Sequence, residues 1–155
     1  MNTLEKTQFG ILDQTTALRT DLLNTLTDAD LAFKIDGNPT LGELCKQMGE
    51  VEYSYIQSFK TFTQSWDYRH DDAVMKSIDA LKSWYAELDQ ALKAVLAGLT
   101  DEQIKTQMVD RGFIVPIEVQ YHIYREALLI FYAKCSVYLG ALGKSVAGDW
   151  VHWIG

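Results

Sequence analysis

The sequence has few of the residues that most often build metal sites, disulfides and rigid turns. It has three histidines, two cysteines and two prolines in 155 residues. Cys45 and Cys135 both fall inside helical patterns, which excludes a disulfide scaffold and predicts reduced core thiols in a cytoplasmic protein. Basic residues are outnumbered, 14 Lys and Arg against 21 Asp and Glu, giving a net charge of −7. There is no Lys/Arg run, so a phosphate backbone would be repelled and no nucleic-acid partner is expected. No apolar run reaches the ~20 residues that cross a bilayer, and the longest is broken by Lys134, so no membrane partner is expected. The opening MNTLEKTQFG lacks the basic-then-apolar order of a signal peptide. No Gly-rich phosphate cradle and no internal repeat occurs, and no segment of adequate length alternates with period two.

What is present is helical periodicity. A hydrophobic content of 48% with 23% charged residues suits one globular domain over residues 1–155. The most apolar segment runs from Pro116 to Leu142. Ile117, Tyr121, Tyr124, Leu128, Phe131, Cys135, Tyr138 and Leu142 form one stripe of a helix. A second stripe, Ile123, Ala127, Ile130, Val137 and Ala141, lies beside it. A helix so apolar is expected to be covered on two sides, by other helices or by a second subunit. Pro116 suits its first position and Gly143 its stop.

Three more helices precede it. The first opens at Asn2 or Thr3, where Asn2 and Glu5 have capping-box spacing, and carries Leu4, Ile11, Leu18 and Leu22 with Leu12 and Leu26 beside them. A turn of helix is predicted within Leu31 to Ile35. Thr40 and Glu43 open the second helix, whose stripe is Leu41, Leu44, Met48, Val51, Tyr55 and Phe62. Gly49 inside it predicts a close backbone neighbour, since glycine there costs about 1 kcal/mol. Thr63 to His70 reads as a loop. The third helix is predicted from Asp71 or Asp72, with Val74, Ile78, Leu81, Tyr85, Leu88, Leu92, Val95 and Leu99 facing inward. Thr100 with Gln103 predicts a brief turn. In the tail, Trp150 and Trp153 are expected to plug one end of the core. The pattern predicts an all-α four-helix bundle.

Little in this pattern carries chemistry. No Glu-x-x-His pair of the kind that builds di-iron sites is present. His122 and Glu126 share a helix face and could be two metal ligands, or a base with its orienting carboxylate. The plainer reading is a partly buried ion pair, since the two lie off the main stripe and lack a third ligand. His70-Asp71-Asp72 is explained by a helix start, and His152 packs or faces solvent. The cysteines have no adjacent base, and Ser54 and Ser58 lack a nucleophile elbow. The hydroxyls of Tyr121, Tyr124 and Tyr138 need partners, for which Gln47, Glu50 and Glu52 are candidates.

Three stretches carry a resemblance to a known family. TLGELCKQMGEVE at 40–52, RGFIVPIEVQYHIYREALLIF at 111–131 and YLGALG at 138–143 resemble the DinB-like (DinB/YfiT) superfamily in helix order and length. The resemblance implies an up-down-down-up four-helix bundle, often dimeric. In many members it implies zinc or nickel held by three histidines, some of these proteins acting as thiol S-transferases, isomerases or hydrolases. Carried across residue by residue, the three ligand positions fall at Gln47, Ala127 and Phe131. The last two cannot bind a metal, and a lone amide is a poor zinc ligand. If buried, Gln47 is expected to pair with a tyrosine hydroxyl, Glu50 or His122.

Three functions therefore compete. The leading one is a metal-free binding or interaction bundle, a homodimer, with a degenerate metal site and no cofactor. The second is a metal-dependent hydrolase or thiol S-transferase with zinc or nickel at a relocated site using His122, Glu126 and Glu50 or Glu52. The third is a small-ligand binder with tyrosines and Trp84 lining a pocket. The candidate polar site is Gln47, Glu50, His122, Tyr124 and Glu126.

Overall fold

A computed structural model describes residues 1–155. Three of the four long helices begin where a side chain takes over backbone donors that the first turn leaves unpaired. Helix α1, Thr3–Thr25, starts at Asn2, whose Oδ1 accepts from Glu5 N while Glu5 accepts from Asn2 N at 2.7 Å. Helix α2, Leu41–Thr61, starts with the same box built from Thr40 and Glu43. Helix α3, Ile78–Ala97, is capped by Ser77, and the short α4, Asp101–Thr106, by Thr100 and Gln103. Strands β1, Met108–Asp110, and β2, Ile114–Pro116, form a hairpin leading into α5, Ile117–Ala141. A last turn, α6, spans Trp150–Trp153. Turns of 3-10 helix occupy Asp28–Ala32 and Asp72–Lys76.

Cross-helix contacts fix the directions. Asn2 Nδ2 donates to Leu96 O and Leu99 O, both at 2.8 Å, so the start of α1 meets the end of α3 and the two are antiparallel. Gln8 meets Tyr121 and Thr15 meets Tyr132, which makes α1 and α5 parallel. Ser58 meets Gln120 and Tyr55 meets Tyr124, so α2 opposes α5. The order is therefore up-down-down-up. Helices 1, 2, 3 and 5 enclose one core that runs from Leu4 through Tyr55, Leu92 and Tyr132 to Trp150.

Several elements depart from the sequence pattern. Helix α3 begins at Ile78, not at Asp71 or Asp72; Asp71 caps a 3-10 turn and Ser77 competes as the true cap. On α1 the inward stripe passes through Leu12, Thr15, Arg19, Leu22 and Leu26, and Ile11 is exposed. A hairpin forms where no strand was expected, because three-residue strands are too short to show a period. Its β1 also pairs with the loop at Thr63, and Pro116 caps α5 from outside the helix. The second stripe of α5 is left partly uncovered, with Ile130 and Val137 exposed. In the tail only Trp150 plugs the core, its indole donating to Ser136 Oγ, while Trp153 stays outside.

Gly49 makes room for a side chain, where a backbone neighbour was predicted. A Cβ there would lie 2.4 Å from Cη2 and Cζ3 of Trp84. The backbone approach occurs at Gly42, where a Cβ would lie 2.2 Å from Met75 O. Substituting Gly49→Ala would gain about 1 kcal/mol of helix propensity and lose about 1–3 kcal/mol to overpacking against Trp84. The net expectation is a lower urea midpoint, restored when Trp84→Phe is added; a raised midpoint for Gly49→Ala alone would contradict this packing.

Candidate functional site

The chemically richest part of the core centres on Arg19. Thr15 and Arg19 lie one turn apart on the buried face of α1, with Arg19 only 2% exposed. Its Nη1 donates to Glu52 Oε2 of α2, and Glu52 is 1% exposed. Its Nη2 donates to Asp89 Oδ1 of α3 at 2.6 Å, and the guanidinium lies 4.1 Å from the centre of the Tyr85 ring. One cation thus bridges three helices. From α5, Tyr132 donates to Thr15 O at 2.8 Å. The Tyr124 hydroxyl has no well-aligned partner, nor does Glu52 Oε1, yet the two lie close enough for Tyr124 to favour the charged carboxylate.

Two carboxylates facing one guanidinium titrate unequally. Burial opposes the charge on Arg19, but Glu52 and then Asp89 more than reverse this, holding its pKa well above the ordinary value. Burial pushes the Glu52 carboxyl up to about 7, Arg19 opposing the rise and Asp89 adding to it. Arginine stays charged throughout, so the deeper of its two acids is the one that gives way.

A second feature lies between α2 and α3 under the loop of residues 63–70. A groove of about 260 Å³ is lined by Tyr53, Ile56 and Lys60 of α2, Tyr68 and His70 of the loop, and Trp84 and Leu88 of α3. Tyr53 stacks on Tyr68 at 3.7 Å and His70 on Trp84 at 3.9 Å. The Tyr68 hydroxyl is 2.9 Å from His70 Nδ1, and His70 N donates to Glu50 Oε1. These links hold the aromatic loop down on the bundle.

The residues singled out by spacing are dispersed. Gln47 is exposed and makes no side-chain hydrogen bond; it shares with Glu50 a polar pocket of about 210 Å³ that also takes in Ser54, Trp66 and Arg69. Glu50 is held by Lys46 at 3.4 Å and by the His70 backbone. His122 is half-buried against the Tyr121 ring, Glu126 is exposed, and no ion pair joins them. Tyr124 lies in the core beside Glu52, on the far side of α2 from that pocket's rim. The other two hydroxyls find backbone acceptors, Tyr138 at Pro39 O (2.6 Å) and Tyr121 at Gln8 O (3.5 Å). Both cysteines are buried and unpaired.

Helix order, the up-down-down-up directions and the α2 and α5 motifs all describe one class of four-helix bundle. The sequence profile of the DinB superfamily matches residues 11–132, and the chain belongs to that superfamily. No curated protein matches it. The positions at which the resemblance implies metal ligands hold the exposed Gln47, the half-buried Ala127 and the buried Phe131. Only Gln47 offers a donor atom, so these side chains do not fit a zinc or nickel ion. Nor does any group of three His, Cys, Asp or Glu side chains gather elsewhere so as to hold one.

Arg19 is not marked by the apolar pattern, because a charged residue does not register in a hydrophobic stripe. The signal was its position: Leu12, Thr15, Arg19, Leu22 and Leu26 keep helical spacing through it. Replacing Arg19 by Met is expected to cost about 3–5 kcal/mol in urea unfolding, because Glu52 is left buried without a counter-charge. Replacing Glu52 by Gln should act through pH. Between the ordinary glutamate value near 4.5 and about 7 the folded chain holds a proton that the unfolded chain has lost. Wild-type stability from this group therefore falls as pH rises through that window. Urea midpoints at pH 5 and pH 8 should differ less in Glu52→Gln than in wild type, and an unchanged difference would remove Glu52 as the titrating group.

Proposed function

We propose that this chain is a metal-free member of the DinB superfamily that acts by binding a small, mainly apolar molecule in the α2–α3 groove. The observation that carries this reading is the groove itself. At about 260 Å³ it exceeds the roughly 30 Å³ share of one water several times over, and it is walled by Tyr53, Tyr68, His70 and Trp84. Ile56, Leu88 and Ala91 add apolar lining, and Gln57, Lys60 and Glu87 supply its polar groups. Small-molecule sites have this character, an apolar body with few polar groups that orient the ligand. The side chains at Gln47, Ala127 and Phe131 support the metal-free part, since two of them have no donor atom.

The enzyme reading has less behind it. Glu50 and Glu52 are each engaged elsewhere, and Glu126 is exposed and forms no ion pair with His122. The homodimer belongs to the same proposal, with the uncovered Ile130 and Val137 of α5 as its contact. Val137→Asp should then shift the sedimentation of a dimer to that of a monomer.

Two measurements test the function. Untagged protein purified without chelators should contain far less than one zinc or nickel per chain, and stoichiometric metal would overturn the metal-free reading. Phenol, benzoate and indole should quench or shift Trp84 fluorescence saturably. Tyr68→Ala should weaken that binding about tenfold, the loss of about 1.4 kcal/mol expected when one stacking wall is removed. Failure of all three probes to bind would overturn the groove.

A further inference from the structure

The buried ion cluster opens to solvent between α1 and α3, at a cleft that shares no lining residue with the aromatic groove. A cleft of about 270 Å³ runs between α1 and α3, lined by Arg19, Thr20 and Asn24 on one side and by Lys82, Tyr85 and Asp89 on the other, with Leu23 and Ala86 midway. We propose that this cleft binds a small zwitterion whose ammonium and carboxylate are separated by a short alkyl chain.

The charges are placed for such a ligand. At the inner end Arg19 is shared by Glu52 and Asp89, so two carboxylates face one guanidinium. Asp89 is the member that reaches solvent, with 29% of its side chain exposed. A ligand ammonium beside Asp89 supplies the missing positive charge. At the outer end Lys82 is half-buried and takes part in none of the chain's ion pairs. It therefore has no carboxylate of its own.

Because α1 and α3 are antiparallel, with Arg19 level with Asp89, Asn24 stands at the Lys82 end. Its amide makes no hydrogen bond within the chain and is free to donate to the same carboxylate. Lys82 and Asp89 are seven residues apart on one helix face, about 10.5 Å along the axis. Side chains reaching inward from both ends shorten that span to the length of an extended ω-amino acid. Leu23, Ala86 and the edge of Tyr85 would then cover its methylenes. The α-amino acids place their two charges too close together to meet both ends.

The test is titration calorimetry of the full chain at pH 7 with 5-aminopentanoate, and with glycine, pentylamine and pentanoate as comparisons. We expect 5-aminopentanoate to bind at least about tenfold more tightly than any of the other three. Asp89→Asn and Lys82→Met should each remove most of that preference, and Tyr68→Ala, in the separate aromatic groove, should leave it unchanged. Lys82 supports no ion pair, so Lys82→Met reports on the cleft even if Asp89→Asn lowers stability.

Binding should also release a proton. The groups facing Glu52 are Arg19, Asp89 and Tyr85 together with Tyr124 and Tyr132, and an added ammonium near Asp89 favours ionised Glu52. The observed heat should then change with the ionisation enthalpy of the buffer. Equal affinities for the four compounds, or no binding of 5-aminopentanoate at about 10 mM, would overturn the proposal. So would unchanged binding in Lys82→Met.

Discussion

Three helices of this bundle are joined at one guanidinium. Arg19 enters the core from α1 and meets a carboxylate from α2 and another from α3, with a tyrosine ring against its face. Ions taken out of water pay a desolvation cost that mutual attraction barely returns. Their value lies in direction, because an apolar core tolerates sliding and rotation of its helices, whereas a guanidinium between two acids accepts few arrangements. The register of α1 against α2 and α3 depends on this contact, and the neighbouring hydrogen bonds agree with it. Asn2 reaches the end of α3, Tyr85 donates to Cys45 O at 2.5 Å, and Tyr132 donates to Thr15 O.

The same cluster gives this DinB bundle a polar interior. Phe131 is buried in the core and Ala127 is half-buried. Buried polar bonding gathers at two centres. One centre is Arg19, Glu52 and Asp89. Another lies at the end of the bundle near the hairpin, where the fully buried Gln120 donates to Ser58 Oγ and Gln64 Oε1 and accepts from Arg111. Both centres tie α2 to its neighbours.

Much of the architecture was legible before any coordinates. Asn2–Glu5, Thr40–Glu43 and Thr100–Gln103 all form the capping boxes that their spacing predicts, because a cap depends on residues within one turn of each other. The loop from Thr63 to His70 and the stop at Gly143, with φ of 67°, follow from equally local chemistry. Misreadings arose where a distant partner decides the outcome. Gly49 faces an indole from α3, and the start of α3 moved to Ser77 once Val74 found its place in the core as part of a 3-10 turn. His122 and Glu126 are on neighbouring positions of one helix surface, yet sharing a face did not bring them together.

Periodicity and capping depend on neighbours within a few residues, so the sequence alone determined the helical class, the number of long helices and most of their ends. Its motifs also carried the superfamily. Which side chains meet across the bundle was decided by tertiary structure. Arg19 and Glu52 are separated by 33 residues and Arg19 and Asp89 by 70, and no local pattern links them. The aromatic groove likewise exists only because a loop folds back over two parallel helices, bringing Tyr68 and His70 onto Tyr53 and Trp84.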